Sequence, residues 1–273
     1  MTNPTGATAP RLRQVLAARR AEGRAALVAY LTFADPDPAT SLDVVAAAAA
    51  AGADVIELGV PFSDPSADGP VIQAAMERAL AAGGGLVSAL AGVRALRARG
   101  VTTPIVLFGY YNPIAVMGPA RFAAAAADAG VDAVLTVDLP LEELAELRVP
   151  LRARGLDVIP LVAPTSTPDR IAQVGQLAPP FVYYIALTGV TGAAGGVLDP
   201  ARVAAVRAGL DGAPMMVGFG IKTAADAARM GALADGVVVG SALVERAARA
   251  GAAGAAQAVG ALVGELAGAL ARR

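Results

Sequence analysis

Three carboxylates fall within twelve residues of one stretch, Glu57-Leu-Gly-Val-Pro-Phe-Ser-Asp64-Pro-Ser-Ala-Asp68-Gly-Pro. Glu57 interrupts the apolar run from Val55 to Val60, where a charge is costly unless it is paired or used. The chain contains no histidine and no cysteine. Proton transfer in an enzyme built from it falls to carboxylates such as these, to a tyrosine or to a lysine. The missing cysteines exclude disulfides, thiolate nucleophiles and Cys-ligated zinc or iron–sulfur sites. With histidine missing too, no metal site is expected.

A second group of residues suits an anion. Three glycine-rich turns follow the last three apolar runs: Thr188-Gly-Val-Thr-Gly-Ala-Ala-Gly-Gly196, Gly218-Phe-Gly-Ile221 and Gly240-Ser241. Glycine lets backbone N–H groups approach a phosphate, and a helix N-terminus adds a favourable dipole. Each turn alone is also ordinary loop chemistry. Together they point to a phosphate ligand, and the long first turn suits a mobile lid.

The elements that must position these residues repeat one pattern: a short β-branched run, a Gly/Pro/Asp turn, then an Ala/Leu/Arg-rich helix. The predicted strands are 26–32, 54–60, 104–110, 133–139, 157–163, 181–187, 214–220 and 236–244. Helical patterns cover 39–51, 71–82, 86–99, 119–129, 141–154, 168–177, 200–208 and 223–231. Gly52, Gly100, Gly130, Gly155 and Gly209 stand where helix C-caps are expected, and Pro119, Pro168 and Pro200 at helix starts. Strands alternating with helices imply parallel βα units. About eight units in 273 residues predict a (β/α)8 TIM barrel with an extra N-terminal helix, in one domain spanning residues 1–273. A doubly wound open sheet is the competitor, but no Gly-x-Gly-x-x-Gly follows the first strand.

Strand alternation separates the faces. Ile56, Leu58 and Val60 suit the strand–helix layer, which aims Glu57 into the barrel near the C-terminal strand ends, where such barrels place active sites. The competing reading, a buried Glu paired to Lys or Arg, has no basic candidate on a neighbouring barrel-facing position. Asp68 has two readings of equal standing: a catalytic group and an ordinary helix N-cap. Asp64, in Ser63-Asp64-Pro65, reads as turn chemistry.

Composition sets the remaining bounds. The hydrophobic fraction is 56%, rich in alanine, with only 4% aromatic residues and a formal net charge of −1. Nothing points to nucleic acid or an anionic membrane. No segment reads as a convincing membrane span, although the stretch after Gly251 is ambiguous. The N-terminal arginines read as one side of an amphipathic helix burying Val15 and Leu16, rather than a transit peptide, so a cytoplasmic location is the default.

These residues resemble one family closely, the tryptophan synthase alpha chain. The resemblance rests on the long stretch from Glu57 to Pro65 with Ala67-Asp68-Gly-Pro70. Tyr30-Leu-Thr, Tyr110-Tyr-Asn-Pro, Asp138-Leu-Pro, Gly189-Val-Thr-Gly, Gly218-Phe-Gly-Ile and Gly240-Ser241 extend it from about residue 26 to 245. It implies a barrel that cleaves indole-3-glycerol phosphate to indole and glyceraldehyde 3-phosphate. Glu57 then matches the acid–base carboxylate, Asp68 the second catalytic acid and Tyr183 an active-site tyrosine. Gly192, Gly220, Gly240 and Ser241 match phosphate-binding positions. Tyr30, Tyr110, Thr191 and Phe219 fall in the substrate pocket or its lid. The resemblance further implies no cofactor in this chain and a pyridoxal-phosphate beta chain as partner in an α2β2 assembly, with indole passed between them.

Some positions depart from the family's commoner pattern: Ser66, Phe33-Ala34, Gly109 and Thr136-Val137. None removes a catalytic or phosphate position, so coupling to a partner is affected more than chemistry. Three other readings remain: a stand-alone lyase releasing indole, a non-catalytic allosteric partner of a beta chain, and another phosphate-binding barrel such as a sugar-phosphate isomerase.

Overall fold

The computed structural model describes residues 8–185, 199–218 and 220–270. Among these, nine strand segments form one sheet: β1 (Ala26–Thr32), β2 (Val55–Gly59), β3 (Ile105–Gly109), β4 (Ala133–Thr136), β5 (Asp157–Val158), β6 (Leu161–Val162), β7 (Val182–Ile185), β8 (Met215–Gly218) and β9 (Gly236–Val239). Every pairing is parallel, in the order β5-β4-β3-β2-β1-β9-β8-β7-β6. The two outer segments, β5 and β6, are separated in the chain only by Ile159 and Pro160. The ends of the sheet are therefore one stretch of chain, and the sheet closes into a barrel. The Ile159 N–H donates to the Val134 carbonyl at 2.8 Å, and the Tyr183 N–H to the Pro160 carbonyl at 3.0 Å. Pro160 has no N–H to give, and the single strand expected over 157–163 is split there. Counted as one, these segments give the eight strands the sequence predicts.

The barrel has two apolar layers, as strand alternation requires. Ala26, Val28, Val55, Val106, Ala133, Leu135, Ile159, Phe181, Met216 and Val238 fill the interior. Leu27, Ala29, Ile56, Leu58, Leu107, Val134, Val217 and Val237 face the surrounding helices. Helix α1 (Pro10–Ala21) adds Leu12 and Leu16 to the interior cluster and so plugs the N-terminal mouth. Its buried pair is Leu12 and Leu16, one turn apart, rather than Val15 and Leu16.

The same mouth is braced by aspartates that stand just before strands. Asp54, Asp132 and Asp235 each exchange two hydrogen bonds with the start of the preceding strand, at Leu27, Ile105 and Met215. Each also pairs with an arginine: Arg24 at 2.6 Å, Arg97 at 2.8 Å and Arg207 at 2.7 Å. Fully buried Asp157 gathers Arg148 at 2.9 Å and Arg152 at 3.0 Å and accepts from the Thr8 hydroxyl. Burial of so many carboxylates is tolerable because each is paired and hydrogen-bonded.

The helices around the barrel are α2 (Pro38–Ala50), α3 (Pro70–Ala81), α4 (Leu86–Ala98), α5 (Tyr111–Met117), α6 (Pro119–Ala129), α7 (Ala145–Arg152), α8 (Pro168–Gln176), α9 (Pro200–Gly209), α10 (Ala224–Gly231) and α11 (Ser241–Leu270). Several differ from the sequence expectation. The short α5 was not expected, because Pro113 and seven residues carry too little periodicity. Strand β9 stops at Val239 rather than running to 244, since Gly240 ends it and Ser241 opens α11. Gly130 caps α6 with φ 88°, as expected, but Gly209 is the last residue of α9 and takes no left-handed cap. Its role is contact: a Cβ there would lie 2.9 Å from Ile171 Cγ2. Helix α11 kinks at Gly251 and by length and hydropathy alone suffices to cross a membrane. Its Leu243, Val259, Leu262, Val263 and Leu266 instead pack into the layer around the barrel.

The departure at Phe33-Ala34 has a structural counterpart. Phe33 is buried against Gly92 of α4, where a Cβ would lie 2.4 Å from its ring. Ala34 holds a left-handed φ of 63°, a conformation that costs an alanine about 1 kcal/mol.

Candidate active site

Glu57 sits on β2, paired across to Tyr30 on β1 and Val106 on β3. It lies on the interior face, between Val55 and Gly59. It is 0% exposed, and among the described residues neither carboxylate oxygen has a hydrogen-bond partner. No arginine or lysine offsets its burial, so desolvation alone lifts its pKa from 4.5 to about 8. The salt-bridged alternative is thereby removed. At neutral pH this group is a protonated carboxyl, able to donate a proton and to take one back.

The structure removes one of the two sequence readings of Asp68, the N-cap. Gly69 is the N-cap of α3, and Asp68 precedes it without capping. Its carboxylate is buried and accepts a 2.7 Å hydrogen bond from the Tyr110 hydroxyl. That hydroxyl in turn accepts the Ala67 N–H at 3.0 Å, while the Tyr110 ring stacks on Phe62 with centroids 4.8 Å apart. Tyr110 therefore pins both ends of the Phe62–Asp68 loop. Burial raises the Asp68 pKa, and the bond from Tyr110 opposes the rise. Asp64 is exposed, bonded to the Ser63 hydroxyl, as its turn reading implies.

Two tyrosines flank the carboxylates, each laid across a glycine of the next strand. A Cβ on Gly59 would fall 2.3 Å from the Tyr30 hydroxyl, and one on Gly218 would fall 2.0 Å from that of Tyr183. The small residues are what let these rings lie flat inside the barrel. Burial raises both tyrosine pKa values, the charges of Asp68 and Glu57 raise them further, and the nearby Thr32 hydroxyl opposes the rise at Tyr30. Both hydroxyls thus remain protonated within electrostatic reach of the two carboxylates. Tyr30 also meets Phe108 edge to face, with centroids 5.2 Å apart.

On the anion side, Gly240 follows β9 and its carbonyl accepts from Leu243 and Val244 in the first turn of α11. The N–H groups of Ser241 and Ala242 then stand at a helix N-terminus without intrahelical acceptors. Gly220 lies just beyond β8, exposed, with φ 48°. Thr191, Gly192 and Phe219 lie outside the described residues.

Sequence reasoning missed Phe62, Phe108 and Thr32 as parts of the site. Thr32 was findable, because it shares the interior face with Tyr30 at period two, and its buried hydroxyl has no partner within hydrogen-bond distance among the described residues. Phe62 gave no such signal, since its contact with Tyr110 joins loops far apart in the chain. A cavity of about 240 Å³ lies at the opposite mouth between Arg20, Arg24, Arg207 and Asp235. That cavity lies away from Glu57, and the buried carboxyl marks the candidate chemistry instead. Among the described residues no group of three or more His, Cys, Asp or Glu converges as a metal site.

Comparison with known proteins agrees with this geometry. Residues 16–270 match the family model described as tryptophan synthase alpha chain. The chain is 53% identical over 239 residues to the tryptophan synthase alpha chain of Burkholderia mallei, covering 86% of this chain and 87% of that one. It is 54% identical over 238 residues to the alpha chain of Alkalilimnicola ehrlichii, covering 86% of each. Among solved structures, Mycobacterium tuberculosis tryptophan synthase superposes with a TM-score of 0.88 at 38% identity, over 98% of this chain and 100% of that one. The alpha chain from Legionella pneumophila gives 0.87 at 38% identity, over 95% and 97%. A closed parallel barrel, an unpaired carboxyl at its C-terminal mouth and similarity along nearly the whole chain lead to one conclusion: this chain belongs to the tryptophan synthase alpha-chain family.

Proposed function

We propose that this chain is the alpha subunit of tryptophan synthase, cleaving indole-3-glycerol phosphate to indole and glyceraldehyde 3-phosphate through Glu57 and Asp68. The single observation that carries the reading is Glu57: a fully buried, unpartnered carboxyl with its pKa pushed up to about 8. Such a group is costly in a barrel interior unless it moves protons.

The reaction is a retro-aldol cleavage. C3 of the indole gains a proton, the bond from C3 to the hydroxyl-bearing carbon breaks, and that carbon's hydroxyl loses its proton as the aldehyde forms. One proton is gained and one released, so no redox partner is needed. Glu57, protonated at neutral pH, serves as the acid at C3, and its carboxylate can then receive the hydroxyl proton. Positive charge develops at the indole nitrogen as C3 is protonated. Asp68, held by Tyr110 as a hydrogen-bond acceptor, takes the indole N–H and stabilises that charge. Tyr183 lines the same cup, and Tyr110 and Phe62 fix the loop that carries Asp68.

The phosphate is assigned to the end of the barrel where β8 and β9 give way to Gly220 and to Gly240-Ser241, with Gly192, Thr191 and Phe219 completing the site by family resemblance. No cofactor is required in this chain. Pyridoxal phosphate belongs to the beta chain, which receives the indole in an α2β2 assembly for L-tryptophan synthesis. The whole chain acts as one barrel domain in the cytoplasm.

The test is product formation. The purified chain is incubated with indole-3-glycerol phosphate, with and without a beta chain, and glyceraldehyde 3-phosphate is measured. Slow turnover alone and strong acceleration by the partner are expected. Equal rates with and without the partner favour a stand-alone lyase, and no turnover in either case leaves only an allosteric role.

A further inference from the structure

The cup contains buried hydroxyls that the cleavage reaction does not use. Among the described residues the buried Tyr30 hydroxyl has no partner within hydrogen-bond distance, and the same holds for Thr32, two residues on along the same interior face, whose hydroxyl is near enough to oppose the rise in the Tyr30 pKa but not near enough to satisfy it. An unsatisfied buried hydroxyl is destabilising, so its retention calls for a partner that arrives from outside. Its position says which part of a ligand it meets. The root of the side chain packs on the phosphate-side turn: a Cβ on Gly240 would lie 3.4 Å from both Cβ and Cδ1 of Tyr30. The tip lies over Gly59, two residues beyond Glu57 on the neighbouring strand. Tyr30 therefore spans the interval between the phosphate end and the proton-transfer end. In indole-3-glycerol phosphate that interval is occupied by the two hydroxyl-bearing carbons.

We propose that the Tyr30 hydroxyl, laid across Gly59 and anchored on Gly240, is a specificity contact that hydrogen-bonds the hydroxylated side chain of the substrate, with Thr32 beside it on the same face. This rests on the activity proposed above. A site built to bond a hydroxyl discriminates against a ligand lacking it, because the buried donor is then left unpaired. Gly59 is part of the device, since any side chain there displaces the ring.

The experiment compares two ligands in equilibrium binding to the full chain carrying Glu57→Gln, so that substrate is not consumed. The first ligand is indole-3-glycerol phosphate. The second is indole-3-propanol phosphate, which keeps the indole and the phosphate but lacks both hydroxyls. Adding Tyr30→Phe is expected to weaken the hydroxylated ligand about 10-fold and to change the deoxygenated one less than about twofold. Gly59→Ala is expected to cause the same selective loss, and the two substitutions together no more than either alone, because both remove one contact. An equal effect on both ligands, or no effect on either, overturns the assignment. If neither ligand binds before Tyr30 is changed, the activity itself is overturned, and that result is separate from a failure of Tyr30 alone.

Discussion

At the scale of single residues, one carboxyl illustrates how environment sets chemistry. Glu57 and Asp157 are both 0% exposed. Asp157 is surrounded by Arg148, Arg152 and the Thr8 hydroxyl and braces the N-terminal mouth. Glu57 has none of these partners and is left able to exchange protons. The difference has a consequence for stability. Unfolded, Glu57 ionises near its ordinary value of 4.5; folded, it stays protonated to about 8. Between those values the native state holds the extra proton, so stability falls as pH rises, by up to about 1.4 kcal/mol per pH unit from this group. Below 4.5 and above 8 its contribution is level. Glu57→Gln removes the titration while keeping shape. Urea denaturation from pH 4.5 to 8 is expected to find the variant increasingly more stable than the parent as pH rises; parallel curves for the two proteins would refute the shifted pKa.

At the scale of elements, the barrel divides its work between its two mouths. The N-terminal mouth is held by repeated pairs, in which an aspartate at the start of one strand clasps the start of the strand before it and an arginine neutralises it. The C-terminal mouth carries the unpaired carboxyl and the glycine turns. Asp132→Ala strips the Ile105 N–H, Arg97 and Arg11 of their shared partner. Removing one side of such a buried pair is expected to cost about 3 kcal/mol in chemical denaturation. kcat/KM should stay within about twofold of the parent, because activity resides at the far mouth. A large loss of kcat/KM in correctly folded protein would contradict that division.

Strand periodicity made most of this legible in the sequence. Glu57 could be aimed into the barrel because its neighbours Ile56 and Leu58 plainly belonged outside. The braces were not legible, since Asp54, Asp132 and Asp235 look like ordinary turn residues and their partners lie about twenty or more positions away. Asp68 was undecidable for a similar reason. An N-cap and a catalytic acid have the same local sequence; the N-cap falls only because Gly69 takes that position in the structure, and the contact from Tyr110, 42 positions away, is invisible locally. The boundary between β9 and α11 was misplaced because Ala242-Leu243-Val244 is apolar enough for either element.

At the scale of the whole molecule, closure of the sheet through Ile159 and Pro160 brings β1, β2, β7, β8 and β9 around one cup. Helix α1 seals the other mouth. The cup joins groups more than 180 positions apart in the chain, from Tyr30 through Glu57 to Gly240. One side holds proton-transfer groups and the other a helix N-terminus suited to phosphate, which is the polarity of an indole-3-glycerol phosphate molecule lying across the barrel. The most direct test of the central claim is indole release from indole-3-glycerol phosphate by the complex with the beta chain, comparing the parent with Glu57→Gln, alongside equilibrium binding of the same substrate to each chain. Glu57→Gln is expected to abolish indole release while still binding substrate. Normal indole release by that variant would contradict the claim.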